Sequence, residues 1–196
     1  MEIIAQMASS RGQQCHRINI SGIARSVLFI VALFVGTHAC ALDFPITCTY
    51  AENQPAAGLE PHARCAAVVG VSLRISDEHL AKMSYTTGGL ASALIDGHWY
   101  YVRPNGDLLQ VVTFDNGADY FSEGLTRSVV RGKVAYFDGN FRRAIPPKFD
   151  WGWPFEAGRA LVCMGCKPTK RGEDGHGSMD GGDGDSLTRA ARKSFA

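Results

Sequence analysis

By residue type and spacing, the side chains best suited to chemistry in this chain are Cys163 and Cys166, a C-x-x-C pair in "ALVCMGCKP". Such a pair exchanges thiols and disulfides when its first cysteine sits at a helix N-terminus, where the dipole lowers the thiol pKa. Here an apolar strand pattern precedes Cys163, and "KPTKRGEDG" follows Cys166, a stretch that starts no long helix. A zinc site needs two further ligands, and the nearest histidine, His176, lies in a glycine-rich segment. A structural disulfide is the expected role, with metal binding and redox chemistry as the alternatives.

The remaining candidates read as scaffold. Asp115 and Asp150 recur 35 positions apart, each after a phenylalanine. Recurrence of that kind suits a carboxylate that accepts backbone N–H groups in a turn better than an acid–base pair. His62, His79 and His98 fall in segments read as arm, helix and strand, near no nucleophile motif, and assemble no triad. Asp180, Asp183 and Asp185 lack the residue order and terminal glutamate of a calcium loop, so their glycine-rich surroundings read as linker. Most aromatics, among them Phe114, Tyr120, Tyr136, Phe149 and Phe155, recur at related places and are read as core. Trp151 and Trp153, which flank Gly152, together with Trp99, are the candidates for a binding surface. No catalytic residue, metal or cofactor is expected.

The elements that must position these residues begin after a targeting segment. Arg11, Arg17 and Arg25 precede the apolar run "VLFIVALFV", and "GTHACA" follows with Ala39 and Ala41 in small-x-small spacing. This is the pattern of a secretory signal peptide, residues 1–41, with cleavage near Ala41. A signal anchor is the competing reading, although the run is about half the ~20 residues that span a bilayer. The expected location is therefore periplasmic or secreted. Export leaves Cys48, Cys65, Cys163 and Cys166, an even number in an oxidising compartment, which suggests two disulfides. Of the three connectivities, Cys48–Cys65 with Cys163–Cys166 needs the shortest loops and is preferred. The chain has 20 Lys plus Arg against 19 Asp plus Glu, so no global field draws it to nucleic acid or an anionic membrane.

Residues 42–65 read as an extended N-terminal arm. "AAVVGVSLRI" reads as one strand, and Ser76 caps a short helix from Asp77 to about Met83. Hairpins follow in series. "ASALI" and "HWYYV" flank Asp96-Gly97, a dipeptide suited to a type I′ turn, and Pro104-Asn105-Gly106 leads to "DLLQVV". "LTRSVV", "KVAYF" and "FRRAI" repeat the arrangement around Arg131-Gly132 and Asp138-Gly139-Asn140. "GLASALIDGHWYYV" and "GLTRSVVRGKVAYF" begin 35 positions apart, and "TFDNGADYFSEG" aligns with "KFDWGWPFEAG".

At these residues the chain resembles the WG-repeat, or KWG-repeat, proteins, whose unit reads roughly G-L-A-x-V-x-x-x-G-K-W-G-Y-I-D-x-x-G-x-x-V-I-P-P-x-F-D-x-A-x-P-F-x-E-G. "FRRAIPPKFDWGWPFEAGRALV" carries the most specific part of the likeness, which covers residues 66–166. At the naming W-G dipeptide this chain has Trp99-Tyr100 and Val134-Ala135 instead. The resemblance implies repeated antiparallel β-units with a binding or structural role and carries over no catalytic residues. The expected fold is mainly β, with three-stranded meanders stacked into one domain and one short N-terminal helix. Residues 167–196 are expected to form a disordered Gly-rich tail, an incomplete third repeat that leaves a strand near Leu161 unpaired. The expected function is an exported, non-catalytic interaction module whose partner is an unidentified protein or cell-envelope component. The alternative is an envelope thiol-redox or metal-dependent enzyme using Cys163 and Cys166.

Overall fold

The computed structural model describes residues 42–169 and 179–188. The expected signal peptide, residues 1–41, and residues 170–178 and 189–196 of the expected tail lie outside the described residues. The fold is mainly antiparallel β-sheet with one short helix, as its turn chemistry predicts. Asp96-Gly97 and Arg131-Gly132 both adopt left-handed φ values, 48° and 75° against 52° and 74°. Two consecutive residues of this kind reverse the chain with the twist that antiparallel strands need.

Strands β1 (Ile46–Ala51), β2 (Leu59–Val69) and β3 (Ser72–Ile75), then helix α1 (Asp77–Lys82), precede β4 (Ala91–Ile95), β5 (His98–Val102) and β6 (Leu108–Gln110). The six strands form one sheet in the order β3-β2-β1-β4-β5-β6. This corrects the expected N-terminal arm: β1 lies mid-sheet, between β2 and β4. The physical reason is a short alternation in "ITCTYA", which buries Cys48 and Tyr50 while Thr47 faces solvent. "AAVVGVSLRI" is also not one strand. Gly70, at φ 65°, turns it into a hairpin in which Val69 pairs with Ser72. The Cys48–Cys65 disulfide links β1 to β2, with the Cα atoms 5.7 Å apart. Helix α1 starts where expected. The Ser76 side chain accepts from the His79 amide, and Asp77 and Glu78 occupy the first turn, favourable for the dipole.

Next come the small hairpin β7 (Thr113–Phe114) and β8 (Gly117–Ala118), then β9 (Leu125–Val130), β10 (Lys133–Asp138) and β11 (Arg143–Phe149), a three-stranded sheet with β10 in the middle. Strands β12 (Trp151–Gly152) and β13 (Arg159–Met164) follow, then the short pair β14 (Lys167–Pro168) and β15 (Met179–Asp180), and finally β16 (Asp183–Thr188). β13 sits between β12 and β16, and Leu161 pairs with Ser186. The expected unpaired strand and wholly disordered tail are thus corrected. The partner strand of the third unit exists, but the segment carrying β14 and β15 delays it beyond the position where a 35-residue period looks for it.

Backbone geometry repeats with the sequence. Arg103 and Asp107 close one turn through the Arg103 amide and the Gly106 amide, and Asp138, Phe141 and Arg142 form the same bonds one unit later. Ser122 and Leu125 exchange both backbone bonds, as do Glu156 and Arg159, around Glu123-Gly124 and Ala157-Gly158, all four at positive φ. Trp99, Leu109 and Val111 form a core cluster with Ala118 from the connector and Phe137 and Phe141 from the following unit. Contact between neighbouring units is how repeats too small to bury a core alone become stable.

Candidate functional site

Each meander hands the chain to the next through a connector, and both connectors are held by the same device. The Tyr101 hydroxyl donates to the Asp119 carbonyl at 2.7 Å, and one unit later the Tyr136 hydroxyl donates to the Trp153 carbonyl at 2.9 Å. The Tyr101 ring packs on Phe121 and the Tyr136 ring on Phe155, with centroids 5.0 and 5.2 Å apart. Burial, with the Asp119 charge behind it, pushes the Tyr101 hydroxyl up to about 12, and burial raises Tyr136 as well. These phenols are therefore fixed donors and act as structural pins.

The first connector also holds a buried ion pair. Asp119 and Arg127 are each about 1% exposed. Arg127 Nη2 donates to Asp119 Oδ1 at 2.5 Å and Nε to Oδ2 at 3.1 Å, a two-pronged geometry that suits guanidinium and carboxylate. The Arg127 amide adds a third bond to Oδ2, and Nη1 reaches the Gly152 carbonyl in the next connector at 2.8 Å. The arginine thereby ties one connector to the other.

Above this pair the aromatic side chains reach the surface. The Arg127 guanidinium carbon lies 5.2 Å from the Phe114 ring centroid and 5.5 Å from that of Trp151. Phe114 packs edge-on with Tyr120 at 5.3 Å, and Trp151 with Trp153 at 6.3 Å and 89°. Phe114 is 37% exposed, Tyr120 48% and Leu161 53%, while Trp151 and Trp153 are half-buried. Gly152 makes this arrangement possible. It is buried, and a β-carbon there would collide with the Tyr136 hydroxyl, so the chain runs tight against the core between two tryptophans. Strand alternation places Trp151 and Trp153 on one face, and Trp151 also packs against the core cluster that holds Tyr136 and Phe155.

Trp151 and Trp153, the sequence's candidates for a binding surface, lie together in the second connector and are both half-buried. Trp99 does not join them: it is 6% exposed and belongs to the core between the meanders. Phe114 and Tyr120, read from sequence as core, are the surface residues that reasoning missed. For Phe114 the available signal was its place directly before the exposed turn residues Asp115 and Asn116.

The other candidates fall elsewhere. Asp150 accepts from Lys133 Nζ at 2.5 Å and from the Gly165 amide at 2.7 Å. Those bonds, the lysine first, hold its carboxyl below the usual range. It anchors the turn between Cys163 and Cys166, which are joined in the expected disulfide with the Cα atoms 6.0 Å apart. Asp115 occupies the tip of the β7–β8 hairpin. His62 and His79 come within 6.1 Å of each other around Tyr50, whereas His98 begins β5. Tyr50 Oη and His79 Nδ1 are 2.8 Å apart, the His62 ring stacks on Tyr50, and His62 Nδ1 lies 3.6 Å from Glu52. Burial, then Glu52, pushes the Tyr50 hydroxyl up to about 12, and burial pushes the His79 imidazole down.

Among the described residues, no group of three or more His, Cys, Asp or Glu is placed to hold a metal ion. No helix among them is long and apolar enough to cross a membrane. The two disulfides fit a compartment outside the reducing cytoplasm. No protein-family model, curated protein or solved structure matches the chain.

Proposed function

We propose that this chain is an exported, non-catalytic interaction module of the WG-repeat type, which meets a protein or cell-envelope component through its connectors. One observation carries the reading: the half-exposed aromatic file Tyr120, Phe114, Trp151 and Trp153 is supported from below by a buried ion pair. Large contiguous apolar patches on the surface of a folded chain mark interaction sites. Tryptophan and tyrosine are also the side chains that dominate binding energy at interfaces.

Capture of envelope components on the immobilised chain tests it. A component retained by the native chain is expected to be lost with Trp151→Ala/Trp153→Ala and weakened with Tyr120→Ala, whose exposed side chain leaves the urea midpoint in place; equal retention by both variants overturns the reading. The rival, an envelope thiol-redox or metal enzyme at Cys163 and Cys166, has less support. Cys163 lies in a strand, and the short strand β14 follows Cys166, so neither sulfur has a helix N-terminus to stabilise a thiolate. Cys163→Ser/Cys166→Ser separates the two, because a module loses stability and an enzyme loses an activity while staying folded.

A further inference from the structure

Resting on the interaction-module reading, we propose that the file Tyr120, Phe114, Trp151, Trp153 is a carbohydrate platform whose ligand is an uncharged stretch of glycan chain. The C–H bonds of a sugar ring, polarised by neighbouring oxygens, are drawn to the negative face of an aromatic ring. A glycan strand therefore needs aromatic faces in series, held still, with hydrogen-bonding groups at the side. The connectors supply each of these.

The rings come as two perpendicular pairs, Phe114 with Tyr120 and Trp151 with Trp153, and the Arg127 guanidinium bridges Phe114 to Trp151. Contact passes from ring to ring in a single file. Perpendicular packing braces each ring and leaves faces that its partner does not cover. The backing is rigid, since Gly152 is pressed against Tyr136 and its carbonyl is held by Arg127. Rings already fixed in the bound arrangement lose little freedom when a ligand arrives.

Charge decides the ligand class. Two cations near the file face carboxylates, Arg127 with Asp119 in a buried pair and Lys133 with Asp150 at the surface. A single-stranded nucleic acid would also stack on these rings, but it requires a positively charged groove for its backbone. A phosphorylated or acidic ligand likewise finds no uncommitted cation in either pair. Asp115 and Asn116 are exposed at the tip of the β7–β8 hairpin, directly after Phe114, with backbone φ values of 48° and 63°. A carboxylate and an amide at that place accept from and donate to sugar hydroxyls. A protein hot spot, by contrast, sits at the centre of a broad desolvated patch, whereas this file carries the exposed polar residues Asp115 and Asn116 directly beside Phe114.

The test is titration of the chain with soluble hexamers of β-1,4-linked glucose, β-1,4-linked N-acetylglucosamine and α-1,4-linked glucose, followed by tryptophan fluorescence and calorimetry. At least one hexamer is expected to give a saturable change. Trp151→Ala and Tyr120→Ala should each weaken that binding by roughly tenfold or more. Tyr120 is the safeguard against misfolding, since its side chain is exposed and its variant should keep the native urea midpoint. No saturable signal with any hexamer, or binding indifferent to both substitutions, overturns the assignment. If an envelope protein is captured through Trp151 and Trp153 while no hexamer binds, the glycan assignment falls and the module reading stands. If nothing is captured and nothing binds, both fall.

Discussion

The two connectors occupy equivalent places in the repeat yet fill them with opposite chemistry. The residue whose carbonyl receives the pinning tyrosine is Asp119 in the first and Trp153 in the second. The third residue of the strand that follows is Arg127 in one and Leu161 in the other. An ion pair buried beneath Phe114 and Trp151 thus becomes an apolar pair at the surface, with Leu161 half-exposed. The backbone is indifferent to the exchange, because its turns, tyrosine pins and phenylalanine contacts repeat in both. The fold depends on what the units share.

Breaking the buried side of this comparison should have the largest effect. Arg127→Ala leaves the Asp119 carboxylate without its guanidinium in a site sealed from water, and a loss of about 3–5 kcal/mol in urea unfolding is expected. Trp153→Ala, at the place equivalent to Asp119, should cost less than about 1 kcal/mol. Equal losses would show that the connectors are not scaffold and surface in the sense drawn here.

The disulfides offer a second contrast. Cys48–Cys65 spans a sequence separation of 17 and Cys163–Cys166 one of 3. Loop-closure entropy predicts a loss of roughly 3 kcal/mol for Cys48→Ser/Cys65→Ser and roughly 2 kcal/mol for the other pair. Calorimetry on the two double variants ranks them. A smaller and more symmetrical effect is expected at the pins: Tyr101→Phe and Tyr136→Phe should each cost about 1 kcal/mol and add when combined. Unequal costs would mean that the shared geometry does not carry shared energy.

The smallest effect concerns acid. Burial first, and the Lys82 charge second, hold His79 below its ordinary value, against the opposing pull of Glu78, with His62 and Tyr50 facing it from β2 and β1. The folded chain keeps this imidazole neutral to a lower pH than the unfolded chain, which protonates it near pH ~6.5. Its contribution is complete above that pH and declines as pH falls through it. The urea midpoint should therefore drop between about pH 7.5 and 5, and drop less in His79→Gln. An identical slope in both chains removes His79 from the account.

Much of the scaffold was legible because turns declare themselves locally. Asp96-Gly97, Arg131-Gly132 and the Ser76 cap need only neighbouring residues to act, and each acts as read. The cysteine pairing followed from loop length alone. What escaped depends on partners distant in sequence. β1 is a short alternating run whose core face is defined by β2 and β4, and β16 is recognisable only once β13 is beside it. Trp99, Tyr100 and Tyr101 are consecutive aromatics, so the sequence does not say which face is core; the sheet places Trp99 inside. Asp119 and Arg127 look like solvated charges until the connectors close over them.

The central claim, that binding belongs to the connector surface, is tested most directly by amide hydrogen exchange of the chain free and captured on cell-envelope material. Added protection is predicted over residues 113–121 and 150–161, with the sheet built from β1 to β6 unchanged. Protection confined to the Cys163–Cys166 turn or to the β2–β3 hairpin, with none in the connectors, would contradict it.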